Sequence, residues 1–479
     1  MGKRHNNRGR TVVLAALAAL VVAASPAEAR KKAPPPAVPV APPQVALPDS
    51  PNGSAVRYFY ERRNYTPIWF KSGAGDQAIG QLLTILRSAA IDGMANGPQV
   101  AARVEAAVLG AHAGDEMKHK EAELVLSAAW VDYVQTLQRP TSNVIWGDQS
   151  LALKPSHPDR ILALLAASPS TASHLQSVSS VNPIYARLRD IAVTEAAANG
   201  GRASDPVMLN LERSRIIPGT GKFIVVNSAE QRLHMYDNGQ DVGSMKVVVG
   251  DKKRYGLPTP IVASSIYYAV ANPYWHVPPH IIRKMAPNIA KGPEAYMKQH
   301  GYEVISDFSE HPTILPASSV DWKAVAAGTE RVNLRQKPNG ENSMGKMKFP
   351  FPNREGIYLH DTPKKVYFDS AQYPNRALSN GCIRVEDYRR LAYWLFGNDP
   401  AASTNEPEQH IALPRGVPVY VTYLTMVPDA TGMASFEDRY GWNRPGVMAG
   451  GMDITVGVSV SAGGREAASG SAGSGNAPQ

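Results

Sequence analysis

The hydrophobic period of this chain changes once, near Pro218, and that change requires two differently built halves. Upstream, apolar residues recur with helical spacing. Ile79, Leu82, Leu83 and Leu86 fall at i, i+3, i+4 and i+7, on one helix face, and Asp92-Gly93 follows as a stop. Leu124, Ala128, Val131 and Val134 repeat the pattern, and Ile161, Leu162, Leu164 and Leu165 mark another helix before Ser168-Pro169. Tyr65-Thr66-Pro67-Ile68-Trp69 reads as core aromatics sooner than as a ligand platform. Downstream the chain turns to strands. Phe223 to Asn227 and Arg232 to Tyr236 are strand runs, Asn238-Gly239 is a hairpin turn, and Val247-Val248-Val249 is the return strand. Ile266 to Val270, Ile357 to Leu359 and Val417 to Leu424 add strands, and Tyr388 to Phe396 is a helix. The pattern predicts an α+β chain: a helical scaffold over 54–215, then a β-rich domain over 216–428. About 273–345 lie between two of its strands. A structureless loop of that length is unusual in a compact domain, so an inserted subdomain is expected, a lid by its position.

The ends carry addresses and spacers. Lys3, Arg4, Arg8 and Arg10 precede an apolar run from Thr11 to Ala24, and Ala27-Glu28-Ala29 follows. This is the layout of a secretory signal over 1–29, with an uncleaved anchor as the alternative; the run is short for a membrane span. A Pro/Ala-rich linker is expected over 30–53. An extension packing on the β-rich domain is expected over 429–458, and a disordered Gly/Ser/Ala tail over 459–479. The net charge of +9 suits an anionic partner. With no arginine-rich tract or nucleic-acid motif in the chain, nucleic acid is not expected among its partners.

The chain has one cysteine, Cys382, which cannot staple its own fold. It is an inert side chain, an intermolecular link or a nucleophile. Its neighbours are Ser379-Asn380-Gly381-Cys382-Ile383-Arg384. A thiol attacks as its thiolate and needs a base or a cation nearby. Gly381 permits tight backbone before the sulfur. The Gly381 and Cys382 amides are candidates for an oxyanion hole. Arg384 is either a carboxylate binder or a surface ion-pair partner. His360, 22 residues before Cys382, ends a strand and is followed by Asp361-Thr362-Pro363. It is a candidate base or a satisfied strand-end histidine, with Asp361 as an orienter through side chain or carbonyl. His276 and His280 are four apart, but Pro278 and Pro279 between them argue against a helical metal site, so no metal or other cofactor is expected.

Two stretches carry a resemblance: Ile357-Tyr358-Leu359-His360-Asp361-Thr362-Pro363 and Arg376-Ala377-Leu378-Ser379-Asn380-Gly381-Cys382-Ile383-Arg384. They closely resemble the catalytic motif of L,D-transpeptidases with the YkuD-type domain, and most of all the large YcbB-like branch. Gln231-Arg232-Leu233, Pro258-Thr259-Pro260, Asn272-Pro273-Tyr274-Trp275-His276-Val277-Pro278-Pro279 and Phe59-Tyr60-Glu61-Arg62-Arg63 agree with that branch. The resemblance implies a periplasmic enzyme that forms 3→3 peptidoglycan cross-links between tetrapeptide stems. Cys382 would be the nucleophile and His360 its base and acid. Arg384, Ser379 and Asn380 would meet the donor stem, and Tyr274 and Trp275 on the lid would cover it. It further implies acylation by carbapenems, a part in cell-shape maintenance alongside other wall-synthesis proteins, and no stable membrane insertion. Many relatives have His where this chain has Asn380, which points to a carbonyl near Asp361 as the orienter. The stretch from Arg139 to Ala198 is too short for the peptidoglycan-binding module some relatives insert there. The alternatives are an L,D-carboxypeptidase with the same residues and a non-enzymatic wall-binding protein. A papain-like protease has its Cys before its His, the reverse of the order here.

Overall fold

The computed structural model describes residues 45–71, 75–140, 143–429 and 432–444. The expected signal, most of the linker, the far part of the extension and the tail lie outside the described residues.

The first half is helical: α1 (Gly53–Glu61), α2 (Gly75–Arg87), α3 (Gly97–Ala113), α4 (Glu116–Leu137), α5 (Pro158–Ala167), α6 (Thr171–Ser180), α7 (Pro183–Ala198) and α8 (Asp205–Ser214). The longest, α4, starts where Asp115 accepts from the Met117 and Lys118 amides, satisfying two orphan donors of its first turn. Its buried face carries Leu124, Ala128, Val131 and Val134, the residues whose spacing marked it. Trp69 is fully buried, with its indole N–H on Ser127 (2.9 Å), so the Tyr65–Trp69 segment belongs to the core. Buried Glu123 clasps that segment by accepting from the Ile68 (2.9 Å), Trp69 (3.0 Å) and Phe70 (2.9 Å) amides and from the Tyr60 hydroxyl (2.7 Å). Truncation orphans several buried donors at about 1–3 kcal/mol each. We therefore expect Glu123→Ala to lower the thermal midpoint by several degrees or more and to make the 62–71 segment the first site cut in limited proteolysis.

The strands in chain order are β1 (Ile145–Trp146), β2 (Phe223–Asn227), β3 (Arg232–Asp237), β4 (Gln240–Gly250), β5 (Val262–Ala271), β6 (Trp275–His276), β7 (Tyr302–Ile305), β8 (Ile314–Leu315), β9 (Asn333–Gln336), β10 (Met347–Pro350), β11 (Tyr358–His360), β12 (Ala377–Ser379), β13 (Ile383–Val385) and β14 (Gln409–Thr422). The main sheet runs β5-β10-β11-β13-β4-β3-β2-β14, and β14 pairs β5 again, so the ladder closes on itself. One face packs Val226, Leu233, Val247, Ile266, Phe349, Leu359, Ile383 and Val385 into a core, joined by Leu391 and Leu395 of the helix over Tyr388–Phe396. β14 begins at Gln409, earlier than the alternation from Val417 implied, because its first part pairs with β5 across a bulge between Ala412 and Val417. β1 adds to β5 from within the helical half; two residues are too short to show a period.

Between β5 and β10 the chain builds a second body, a sheet β6-β9-β7-β8 with helices over Pro279–Ile289, Pro293–His300 and Trp322–Ala327. It has its own core around Ile282, Ala286, Ile289, Val304, Trp322 and Leu334. Buried Asn342 stitches its two connections together, donating to Pro273 O (3.0 Å) and Lys337 O (2.9 Å). After β14, a hairpin of Met426–Asp429 and Gly432–Ser435 precedes Tyr440 and Trp442, which bury against Tyr423. Among the described residues no helix is long and apolar enough to cross a membrane.

Candidate active site

Two neighbouring parallel strands deliver the motif residues. β11 pairs β13 with Leu359 opposite Ile383 and His360 opposite Arg384. Leu359 and Ile383 point into the core, so strand alternation puts Tyr358, His360, Cys382 and Arg384 together on the opposite face. Lys348 of β10 stands opposite His360 on the other side. A row Lys348–His360–Arg384 thus crosses three strands, with Cys382 one pleat away beside Tyr358.

His360 is buried, and its Nδ1 sits 2.6 Å from the carbonyl oxygen of Asp361. A carbonyl only accepts, so Nδ1 carries the hydrogen and Nε2 is left as an acceptor. Burial, then the neighbouring charge of Arg384, hold the imidazole down at about 3, with Lys348 adding to the effect and the Asp361 carbonyl opposing it. Cys382 is half-buried, and its Sγ lies 3.6 Å from Gly356 O. Burial pushes its thiol up; hydrogen bonds from the backbone and hydroxyl of Tyr358, and the charge of Arg384, pull it partly back. Both side chains are therefore neutral at rest, a thiol and an imidazole whose Nε2 is the acceptor nitrogen.

The turn before the sulfur is built by Ser379. Its hydroxyl donates to Cys382 O (2.6 Å) and accepts from Gly381 N (3.2 Å). Ser379 is buried, so the residue expected to meet substrate instead holds the turn, and the Gly381 amide expected in an oxyanion hole is taken up by it. Gly381 sits at φ +108, a conformation that favours glycine, and an added Cβ would lie 3.0 Å from Ile357 Cδ1. Among the described residues nothing takes up the Cys382 N–H. The Asp361 carboxylate accepts from Lys365 Nζ (2.6 Å) and Lys346 N (2.8 Å), so this residue meets the histidine through its carbonyl.

Arg384 has no carboxylate partner among the described residues; its guanidinium lies 5.5 Å from the Tyr367 ring centre, and its Nε is buried without an acceptor. Asn380 Oδ1 is likewise buried without a donor. An unpaired donor and an unpaired acceptor on either side of a thiol are what a polar ligand would satisfy. Tyr274 and Trp275 lie on the entry to the inserted body. The Tyr274 amide donates to Glu408 Oε2 (2.6 Å), its ring stacks under Arg335 (4.1 Å), and Trp275 packs near Tyr302. Glu408 also pairs with Lys348 (2.9 Å), which ties that entry to the site. Tyr358 is a further residue of this site, through its hydrogen bonds to Cys382, and its place in the motif two residues before His360 is the sequence signal for it. Among the described residues no cluster of His, Cys, Asp and Glu is arranged to hold a metal.

Comparison with known proteins agrees with these two halves. Residues 221–421 match the family model of the L,D-transpeptidase catalytic domain (YkuD), and residues 54–191 match that of the Scaffold domain. A putative L,D-transpeptidase of Haemophilus influenzae is 24% identical over 399 residues, covering 80% of this chain and 77% of the relative. Among solved structures, the L,D-transpeptidase from Mycobacterium smegmatis aligns at 13% identity and a TM-score of 0.21 over 42% of this chain and 59% of that one. A variant of the Enterococcus faecium L,D-transpeptidase aligns at 10% identity and a TM-score of 0.21 over 43% of this chain and 51% of that one. These alignments span less than two thirds of the solved chains.

Proposed function

Because the chain carries a YkuD-type L,D-transpeptidase catalytic domain behind a Scaffold domain, we propose that it is a periplasmic L,D-transpeptidase of the YcbB-like branch, forming 3→3 cross-links in peptidoglycan. The observation that carries this reading is the contact of His360 Nδ1 with the Asp361 carbonyl, which leaves Nε2 as the acceptor, on a residue that strand alternation puts on the face bearing Cys382. His360 Nε2 takes the thiol proton as Cys382 Sγ attacks the carbonyl between the third stem residue and the terminal D-Ala. The Cys382 N–H faces the oxygen that becomes an oxyanion. The C–N bond breaks, the proton passes from His360 to the departing D-Ala amine, and a thioester remains. The side-chain amine of a second stem attacks the thioester, gives its proton to His360, and forms the new C–N bond as the C–S bond breaks. Arg384 is the counter-charge for a carboxylate of the donor stem, consistent with its having Tyr367 but no carboxylate beside it among the described residues. The same cation beside a thiol suits a carbapenem, whose carboxylate and strained carbonyl ask for that combination.

The test is incubation of the purified protein with disaccharide-tetrapeptide and mass spectrometry of the products. A dimer lighter by one D-Ala is the expected result. Tripeptide monomer alone would replace the transferase by a carboxypeptidase, and unchanged tetrapeptide would leave a wall-binding protein.

A further inference from the structure

The nucleophile's turn is anchored from behind by Thr259, and Thr259 by a segment beyond the matched catalytic domain, which ends at residue 421. Thr259 is buried, and its hydroxyl donates to Gly381 O (2.7 Å) while accepting from Gly250 N (2.8 Å). Thr259 is held in turn by Tyr440: the Tyr440 hydroxyl donates to Gly250 O (2.8 Å) and accepts from Thr259 N (3.3 Å). Tyr440 is buried and stacks on Tyr423, ring centres 4.9 Å apart. Its amide donates to the Tyr423 hydroxyl (2.9 Å), which itself donates to Asp438 (2.9 Å). The same segment is gripped from the scaffold. Arg213 of α8 donates to Trp442 O (2.5 Å), Asn443 Oδ1 (2.9 Å) and Tyr423 O (3.1 Å).

This chain of contacts ends on one peptide plane. In a trans peptide the C=O and N–H point in opposite directions. A hydroxyl that fixes Gly381 O therefore fixes the direction of the Cys382 N–H, the donor that neither the Ser379 turn nor the strand pairing uses. Gly381 at φ +108 has no Cβ to limit that plane, so the hydrogen bond from Thr259 is what sets it. We propose that Thr259 and Tyr440 are positioning residues for the oxyanion hole, and that the segment 438–443 is a strap through which the scaffold holds the acylation site in register. The proposal rests on the acyltransferase reading above and adds residues that act only when a carbonyl oxygen gains charge.

That restriction supplies the test. Acylation by meropenem develops an oxyanion; alkylation by iodoacetamide does not, yet both consume Cys382. Intact-protein mass spectrometry gives both rates for wild type, Thr259→Val, Thr259→Ser and Tyr440→Phe. Thr259→Val should slow acylation about 10- to 100-fold at saturating meropenem, a part of the effect of deleting an oxyanion donor, and leave alkylation unchanged. Thr259→Ser should recover the wild-type rate, and Tyr440→Phe should slow acylation alone, by less. If acylation is unaltered in Thr259→Val and Tyr440→Phe, the strap has no such role. If both reactions slow together, or serine fails to rescue, the residues merely support the fold and the proposal falls. If wild type is alkylated but never acylated, the acyltransferase reading falls, and the oxyanion role goes with it.

Discussion

Cys382→Ala should form no carbapenem adduct and no cross-linked dimer while melting close to wild type. The first half follows from chemistry. The turn offers no second nucleophile: Ser379 is buried with its hydroxyl donated to Cys382 O, and the chain has no other thiol. Loss of a covalent nucleophile lowers turnover by about three orders of magnitude or more. The second half follows from packing. Sγ makes a long contact with Gly356 O (3.6 Å), and Cys382 is half-buried, so little holds the sulfur beyond Tyr358. Its removal should cost about 1 kcal/mol or less. The backbone that the turn depends on is untouched, because Ser379 and Thr259 bind the carbonyls of Cys382 and Gly381. Intact mass after meropenem, with a thermal melt beside it, reads both. An adduct on the alanine variant at the wild-type rate would remove Cys382 from the mechanism; a collapsed melt would make it a structural residue.

What the sequence made legible follows the range of the forces involved. Helices with repeating apolar spacing, such as that carrying Leu124 and Val131, announce themselves because burial acts on one face of a local period. Strands bounded by a turn, such as Phe223–Asn227, do the same, and Asn238-Gly239 marked their hairpin. The pairing of β11 with β13, which puts His360 beside Arg384, has no local signature and became readable only through the motif resemblance. Ser379 and Asp361 show the limit most clearly. Both lie in the motif, yet their hydroxyl and carboxylate face the backbone of Cys382 and of Lys346, and no residue pattern distinguishes that from contact with substrate. The contacts of Thr259 and Tyr440 are illegible for another reason, although Thr259 lies in the quoted Pro258-Thr259-Pro260: the two residues lie 122 positions before Gly381 and 181 positions after Thr259 respectively. A hydrogen bond across such a separation leaves no trace in spacing.

His360→Ala should slow acylation by about a hundredfold to ten-thousandfold at neutral pH, the usual contribution of a positioned general base. The two proteins should also differ in how they respond to pH. In wild type the imidazole is held down to about 3 by burial and by Arg384, so it stays an effective base well into mild acid. Acylation should therefore show no inflection near the ordinary histidine value of about 6.5. In the alanine variant the thiol must lose its proton to solvent. Burial has pushed that thiol up, so the residual rate should climb about tenfold per pH unit through neutrality. Stability should report the same proton. Above about pH 6.5 neither folded nor unfolded His360 binds it, and the residue's contribution is fully present. As pH falls toward the folded value the unfolded chain takes up a proton that the native site refuses. Wild type should then lose stability relative to His360→Gln by about 1.4 kcal/mol per pH unit. Denaturant titrations at pH 7, 6 and 5 measure that difference, which cancels the titration of every other group the two proteins share. A wild-type acylation limb near pH 6.5, or a stability difference that does not grow with acid, would mean that His360 is solvated and charged like a surface histidine. The Nδ1 contact with the Asp361 carbonyl would then not set its tautomer.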